Sequence, residues 1–117
     1  MTNDTFIKFD HEKPRPELIP PKAMLEIVKV LTYGAKKYSA GNYIKDGATF
    51  NRYYAAALRH MLQWQALEDT DGETGLSHIA HAATNLIFLL SMIENGVAED
   101  DRLMHRIQER VKQFKSH

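Results

Sequence analysis

No cysteine occurs in the 117-residue chain, which excludes disulfides, thiolate metal ligands and cysteine nucleophiles. Net charge is absent as well: 15 Lys and Arg balance 15 Asp and Glu. Domains that bind nucleic-acid polymers usually carry a basic excess, so no such polymer is expected as a partner. No apolar run is long enough to span a bilayer. The longest, Ala82 to Ile93, is interrupted by Thr84, Asn85 and Ser91. The opening MTNDTFIKFD has neither a basic start nor an apolar stretch. A signal peptide and a membrane partner are therefore not expected, and the cytoplasm is the expected compartment. The glycine patterns GxxxxGKS/T, GxGxxG and GxSxG are missing too, which leaves P-loop, dinucleotide and hydrolase-elbow readings without support.

Proline is scarce and confined. Pro14, Pro16, Pro20 and Pro21 are the only ones, and so close a cluster forbids helix and favours an extended arm over residues 1–19. Phe6, Ile7, Phe9, Leu18 and Ile19 give that arm apolar anchors. Beyond it the spacing predicts four helices in one domain spanning 1–117. The first starts at Pro20 or Pro21 and runs to Tyr38, with Leu25, Val28, Leu31 and Ala35 on one face. The second starts after Thr49 as N-cap and runs through Glu68, with Tyr54, Ala57, Leu58, Met61, Leu62 and Gln65 as its inner stripe. The third follows Ser77 and ends at Asn95-Gly96. It is apolar on nearly every side, so it must be buried on every side. The fourth begins near Ala98 and carries Leu103, Ile107, Val111 and Phe114 as a narrow stripe. Four helices of this length struggle to cover the third within one small chain. A homo-oligomer, dimer, tetramer or higher, is expected.

Reactive side chains crowd between positions 59 and 85. Arg59 and His60 lie late in the second helix, Glu68, Asp69, Asp71 and Glu73 fill the loop, and His78, His81 and Asn85 open the third helix. His78 and His81 are three apart and share a face. Imidazoles at the start of so apolar a helix need a partner, and a metal or a loop carboxylate would serve. The alternative is two boundary histidines satisfied by Asp or backbone carbonyls. The expected metal ligands are His60, Glu68, Asp69, His78 and His81, with Asp71 as a further acid. Mixed imidazole and carboxylate ligation suits manganese, iron, cobalt or zinc, and carboxylates alone suit magnesium. A second cluster is basic: Lys8, Lys13 and Arg15 on the arm, Lys36 and Lys37 at the end of the first helix, then Arg59. Such cations can complement a helix dipole. On an arm packed over a pocket they can also meet a phosphate chain.

Two strings carry a resemblance: KFDHEKPRPELIPPKAMLEIVKVLTYGAKKYSAGNY and AAALRHMLQWQALEDTDGETGLSHIAHAATNLIFLL. Together they resemble the dATP/dGTP diphosphohydrolase N-terminal domain family, common in bacteriophage genomes and related to the all-alpha nucleoside triphosphate pyrophosphatases of MazG type. The resemblance implies an oligomeric all-α four-helix bundle and a divalent ion (Mn2+, Mg2+ or Co2+). It also implies hydrolysis of purine deoxynucleoside triphosphates to monophosphate and pyrophosphate, in a host cytoplasm if phage-encoded. In that reading His60, Asp69 and His81 are the catalytic candidates. Lys8, Lys13, Arg15, Lys36, Lys37 and Arg59 neutralise the triphosphate, and Tyr38 and Asn42 contact base or sugar. MazG-type enzymes hold their metals with ExxE and ExxD carboxylates. Here His60, Gln63, His78 and His81 stand near those places. Two alternatives follow: a nucleotide-binding protein without turnover, acting as sponge or sensor, and a different metal-dependent nucleotide phosphohydrolase.

Overall fold

The structure is a computed structural model that describes residues 13–38 and 48–116. Four α-helices make up these segments: α1 (Pro21–Tyr38), α2 (Phe50–Gln65), α3 (His78–Asn95) and α4 (Leu103–Lys115). Of the proline arm, the described part is exposed and holds one 3-10 turn, Pro16–Leu18. Phe6, Ile7 and Phe9 lie outside the described residues. Pro21 opens α1, and Met24 N–H donates to the Pro20 carbonyl at 3.0 Å. Proline suits this first turn because its missing N–H would have no intrahelical partner there.

Helices α2 and α3 form the tightest pair. Tyr53 meets Phe88 edge-on at 5.9 Å, while His60 stacks on His81 at 4.6 Å. Rising numbers on one helix meet falling numbers on the other, so the pair is antiparallel. Ala57 of α2 and Ala80, Ala82 and Thr84 of α3 are buried, and small side chains let helices approach closely. Helix α1 lies against α3 and buries Val30. The N-caps are those the sequence predicts: Thr49 accepts from Arg52 N–H at 3.3 Å, and Ser77 from Ala80 N–H at 3.1 Å. Gly96 ends α3 at φ +63, a left-handed backbone that glycine adopts without strain.

Three expectations change. Helix α4 begins at Leu103 rather than near Ala98, because the acids before it are committed elsewhere. Phe50 N–H donates to the Glu99 carbonyl at 3.1 Å, and Asn51 N–H to Asp101 Oδ1 at 2.8 Å. The segment 99–101 thereby caps α2 and cannot wind into a helix. Helix α2 stops at Gln65, short of Glu68, as Leu67 turns left-handed at φ 71. Finally, the apolar stripes are wider than one packing face. α1 turns Met24, Ile27 and Val30 inward and leaves Leu25 59 % exposed. α2 turns Tyr53, Ala57 and His60 inward and leaves Leu62 68 % exposed. On α3, Leu86, Ile87, Leu90 and Ile93 are exposed too, so one chain does not bury that helix all round. α4 packs extensively against no other helix among the described residues. The expected bundle of four is a group of three with α4 standing apart.

Candidate functional site

Residues 66–77 join α2 to α3, and their acids are structural before they are chemical. Asp71 Oδ2 accepts from the amides of Glu73 and Thr74 at 3.0 and 2.9 Å. An aspartate that bonds the backbone two or three residues on nucleates a tight turn. Asp71 N–H donates to Leu76 carbonyl at 2.8 Å, and a bridge between Thr70 and Ser77 closes the loop. Gly75 supplies the left-handed φ of +71 between Asp71 and Leu76. His78 N–H donates to the Asp69 carbonyl at 3.0 Å, which fixes the start of α3 against the loop.

This turn sets Asp71 beside the histidines. A carboxylate oxygen of Asp71 and ring nitrogens of His60 and His78 all lie within 4.8 Å of one another. The Nδ1 atoms of His60 and His78 are 2.9 Å apart and share one hydrogen. His81 stacks on His60 with rings 9° from parallel, and its Nε2 is 2.8 Å from Thr74 Oγ1. His78 is completely buried, and its Nε2 has no hydrogen-bond partner. Glu68 Oε2 stands 3.5 Å from that nitrogen, a near approach without hydrogen-bond alignment. A buried polar atom left unpaired costs about 1–3 kcal/mol, and a cation is one partner that would relieve it.

The protonation of the cluster suits that partner. Burial, then the neighbouring imidazoles His81 and His78, pushes His60 below its ordinary 6.5. Burial likewise lowers His81, against the raising effect of Asp71. Neutral imidazole is the form that ligates metal. Burial alone would raise Asp71, but the Thr74 and Glu73 amides and His81 hold it below the usual 3.8, so the carboxylate is charged. Neutral His60 and charged Asp71, with the unpaired Nε2 of His78 beside them, are a donor set for a borderline divalent ion.

The sequence candidates divide accordingly. His60, His78 and His81 converge as expected. Asp71 supplies the carboxylate among them. Asp69 contributes its backbone carbonyl, and its side chain is exposed. Glu68 sits at the rim, half exposed. Lys37 reaches Glu73 Oε1 at 2.7 Å and ties the end of α1 to the turn. Lys36 is exposed beside it, Arg59 is exposed on α2, and Lys13 and Arg15 are exposed ahead of α1, with Arg15 paired to Glu17 at 2.7 Å. Lys8, Asn42 and the side chain of Tyr38 lie outside the described residues. Thr74 escaped sequence reasoning. Its signal is the string DGET, in which an aspartate-led turn brings the threonine hydroxyl to 2.8 Å from His81 Nε2.

A helical protein built round a histidine and carboxylate cluster, at the joint between two antiparallel helices, is the class this geometry defines. The family model described as dATP/dGTP diphosphohydrolase, N-terminal, matches residues 3–102. The chain belongs to that family. One relative, the dATP/dGTP diphosphohydrolase of Salmonella phage PMBT28, is 40 % identical over 98 residues, 84 % of this chain. The match takes in 33 % of that relative, so this chain spans about a third of its length. No solved structure matches. Helix α4 lies beyond the family match, which ends one residue before it.

Proposed function

We propose that this chain hydrolyses purine deoxynucleoside triphosphates to the monophosphate and pyrophosphate with a divalent ion. The observation that carries the reading is the buried, partnerless Nε2 of His78 beside neutral His60 and ionised Asp71. Family membership supplies the substrate class, since the relative is named for dATP and dGTP. His60, His78 and Asp71 would hold the ion, with Glu68 at the rim. Bound there, it would polarise phosphoryl oxygens and lower the pKa of water.

The rest is the work of the chain's own side chains. Neutral His81 is the proton acceptor for the attacking water, and the Thr74 hydroxyl holds its ring in place. Burial of His78 keeps bulk water from that side of the cluster. Lys36, beside the turn, offsets the negative charge of the phosphates. Water attacks the α phosphorus, its proton goes to His81, and pyrophosphate departs. In this proposal the protein works as a homo-oligomer, supported by the apolar faces of α2 and α3 that one chain leaves exposed.

Incubating the protein with dATP, dGTP, dCTP and dTTP in manganese, magnesium or cobalt tests the reading. Monophosphate and pyrophosphate from the purine substrates are expected. Nucleoside and triphosphate would mark a different hydrolase. A second reading, nucleotide binding without turnover, is favoured by the resemblance to MazG-type enzymes: against their ExxE and ExxD carboxylates this chain offers His60, Gln63, His78 and His81. Stable binding with no product would establish it.

A further inference from the structure

The outward face of α1 is not an ordinary exposed helix surface. Together with the turn at Thr74 and Leu76 it forms an open groove of about 600 Å³. Leu25, Val28 and Leu76 make its apolar part. Lys22, Lys29 and Lys36 also line it, spaced seven residues apart. Seven residues are nearly two helical turns, so the three ammonium groups follow one edge of the groove. Glu26 neutralises Lys29 at 2.8 Å. Lys22 and Lys36 have no acid partner among the described residues.

The charge pattern selects the occupant. A second α1 laid on this face would set lysine against lysine. Helix α4 of another copy would bring Arg106, Arg110, Lys112 and Lys115, which are no better. The remaining exposed apolar faces, on α2 and α3, carry no acid row to meet the lysines. An anion with an apolar body fits where these helices do not. The groove also leads to the chemistry: Thr74 lines it and bonds His81 at 2.8 Å. From Leu25 to Lys36 the helix rises about 16 Å, room for base, sugar and phosphates laid end to end.

We propose that this groove is the cradle of the nucleoside triphosphate, with the phosphate chain at its Lys36 end and the nucleoside on Leu25, Val28 and Leu76. The proposal rests on the nucleotide reading given above, and it adds Leu25, Val28, Lys29 and Leu76 to the binding surface. Lys36 adjoins Lys37, which is tied to Glu73 in the turn whose Thr74 meets His81, so the phosphates point toward the histidines. Lys22, at the far end, lies beyond the reach of the phosphates.

The test titrates the full chain with α,β-methylene dATP, a probe that cannot be cleaved at the α phosphorus. Manganese affinity without nucleotide and molar mass by light scattering are measured alongside. Lys36→Glu and Val28→Asp should each weaken the probe about tenfold or more, the scale of a lost bond to a charged group. Lys36→Ala should weaken it several-fold. All three should keep wild-type manganese affinity and mass. Unchanged probe affinity in Lys36→Glu and Val28→Asp overturns the cradle. A changed mass in Val28→Asp with unchanged probe affinity also overturns it and gives the face to a second copy. The two readings separate cleanly. Wild-type protein that binds the probe through these residues but releases no pyrophosphate from dATP keeps the cradle and loses the catalytic reading. Hydrolysis of dATP with full probe affinity in the variants does the reverse.

Discussion

Asp71 does two things with one side chain. Its Oδ2 accepts two amides that hold the turn, and its charge faces His60 and His81. Asp71→Asn separates them, because an amide oxygen still accepts from Glu73 and Thr74. The variant should melt near the wild type yet bind manganese at least about tenfold more weakly. Asp69→Asn should bind manganese as the wild type does, since Asp69 serves through its carbonyl. Calorimetric titration of both variants checks the contrast. Residue type and spacing were enough to single out His60, His78 and His81 in the sequence. They put Asp69 ahead of Asp71, whereas the fold sets Asp71 beside the histidines, because the choice depends on which carboxylate the turn folds inward. The same cluster sets a pH dependence. His60 and His81 are held below 6.5 in the fold, so the unfolded chain takes up their protons first as pH falls. Their contribution is complete above about 6.5 and is lost as pH falls through the folded values. Melting temperature should drop between pH 7.5 and 5, and added manganese should steepen the drop, because ligation needs the neutral rings. A melting temperature flat over that range would remove the burial of the neutral rings from the account.

Helix α2 depends on a segment far along the chain. Its first amides find acceptors in Glu99 carbonyl, Asp101 Oδ1 and Thr49 Oγ1, while Asp101 carbonyl accepts from Asn51 Nδ2 at 2.7 Å. Burial alone would raise the Asp101 carboxyl, but the Asn51 amide and Thr49 hydroxyl hold it below 3.8. Asp101→Ala should therefore cost about 1–2 kcal/mol, as for loss of a helix N-cap. Asp100→Ala should cost less, since Asp100 bonds the exposed Arg102 guanidinium at 2.6 Å and the single Arg102 amide at 3.1 Å. Denaturant melts of the two variants decide it, and equal losses would mean that Asp101 caps nothing. The helices themselves were legible. Periodicity and capping residues placed α1 and α3 within about a residue of their ends. The start of α4 was not, because EDDR reads equally well as a helical first turn and as a loop. Only the distant amides of Phe50 and Asn51 settle which.

The stripes on α1, α2 and α3 looked in the sequence like single core faces. In the fold each is two faces, one against the chain's own helices and one exposed. Helical spacing reports that a face is apolar and not what covers it. The inner faces bury mostly alanine, with Val30 and Met92 as larger members. A core that small offers limited hydrophobic stabilisation on its own. Meanwhile Leu58, Met61 and Leu62 on α2, with Leu86, Leu90 and Ile93 on α3, stay in water. Exposed apolar surface of this extent is the kind that protein interfaces cover. The chain should therefore run as a multiple of 13.4 kDa in light scattering at micromolar concentration. Leu90→Glu should split the assembly, because each isologous contact would meet a buried carboxylate twice. Manganese affinity should survive in the split form, since His60, Asp71 and His78 come from one chain. A wild-type particle of single-chain mass would show that these faces tolerate water. A Leu90→Glu protein of unchanged mass would place the contact elsewhere, and α4, whose Ile107, Val111 and Phe114 are exposed, would be the next face to charge.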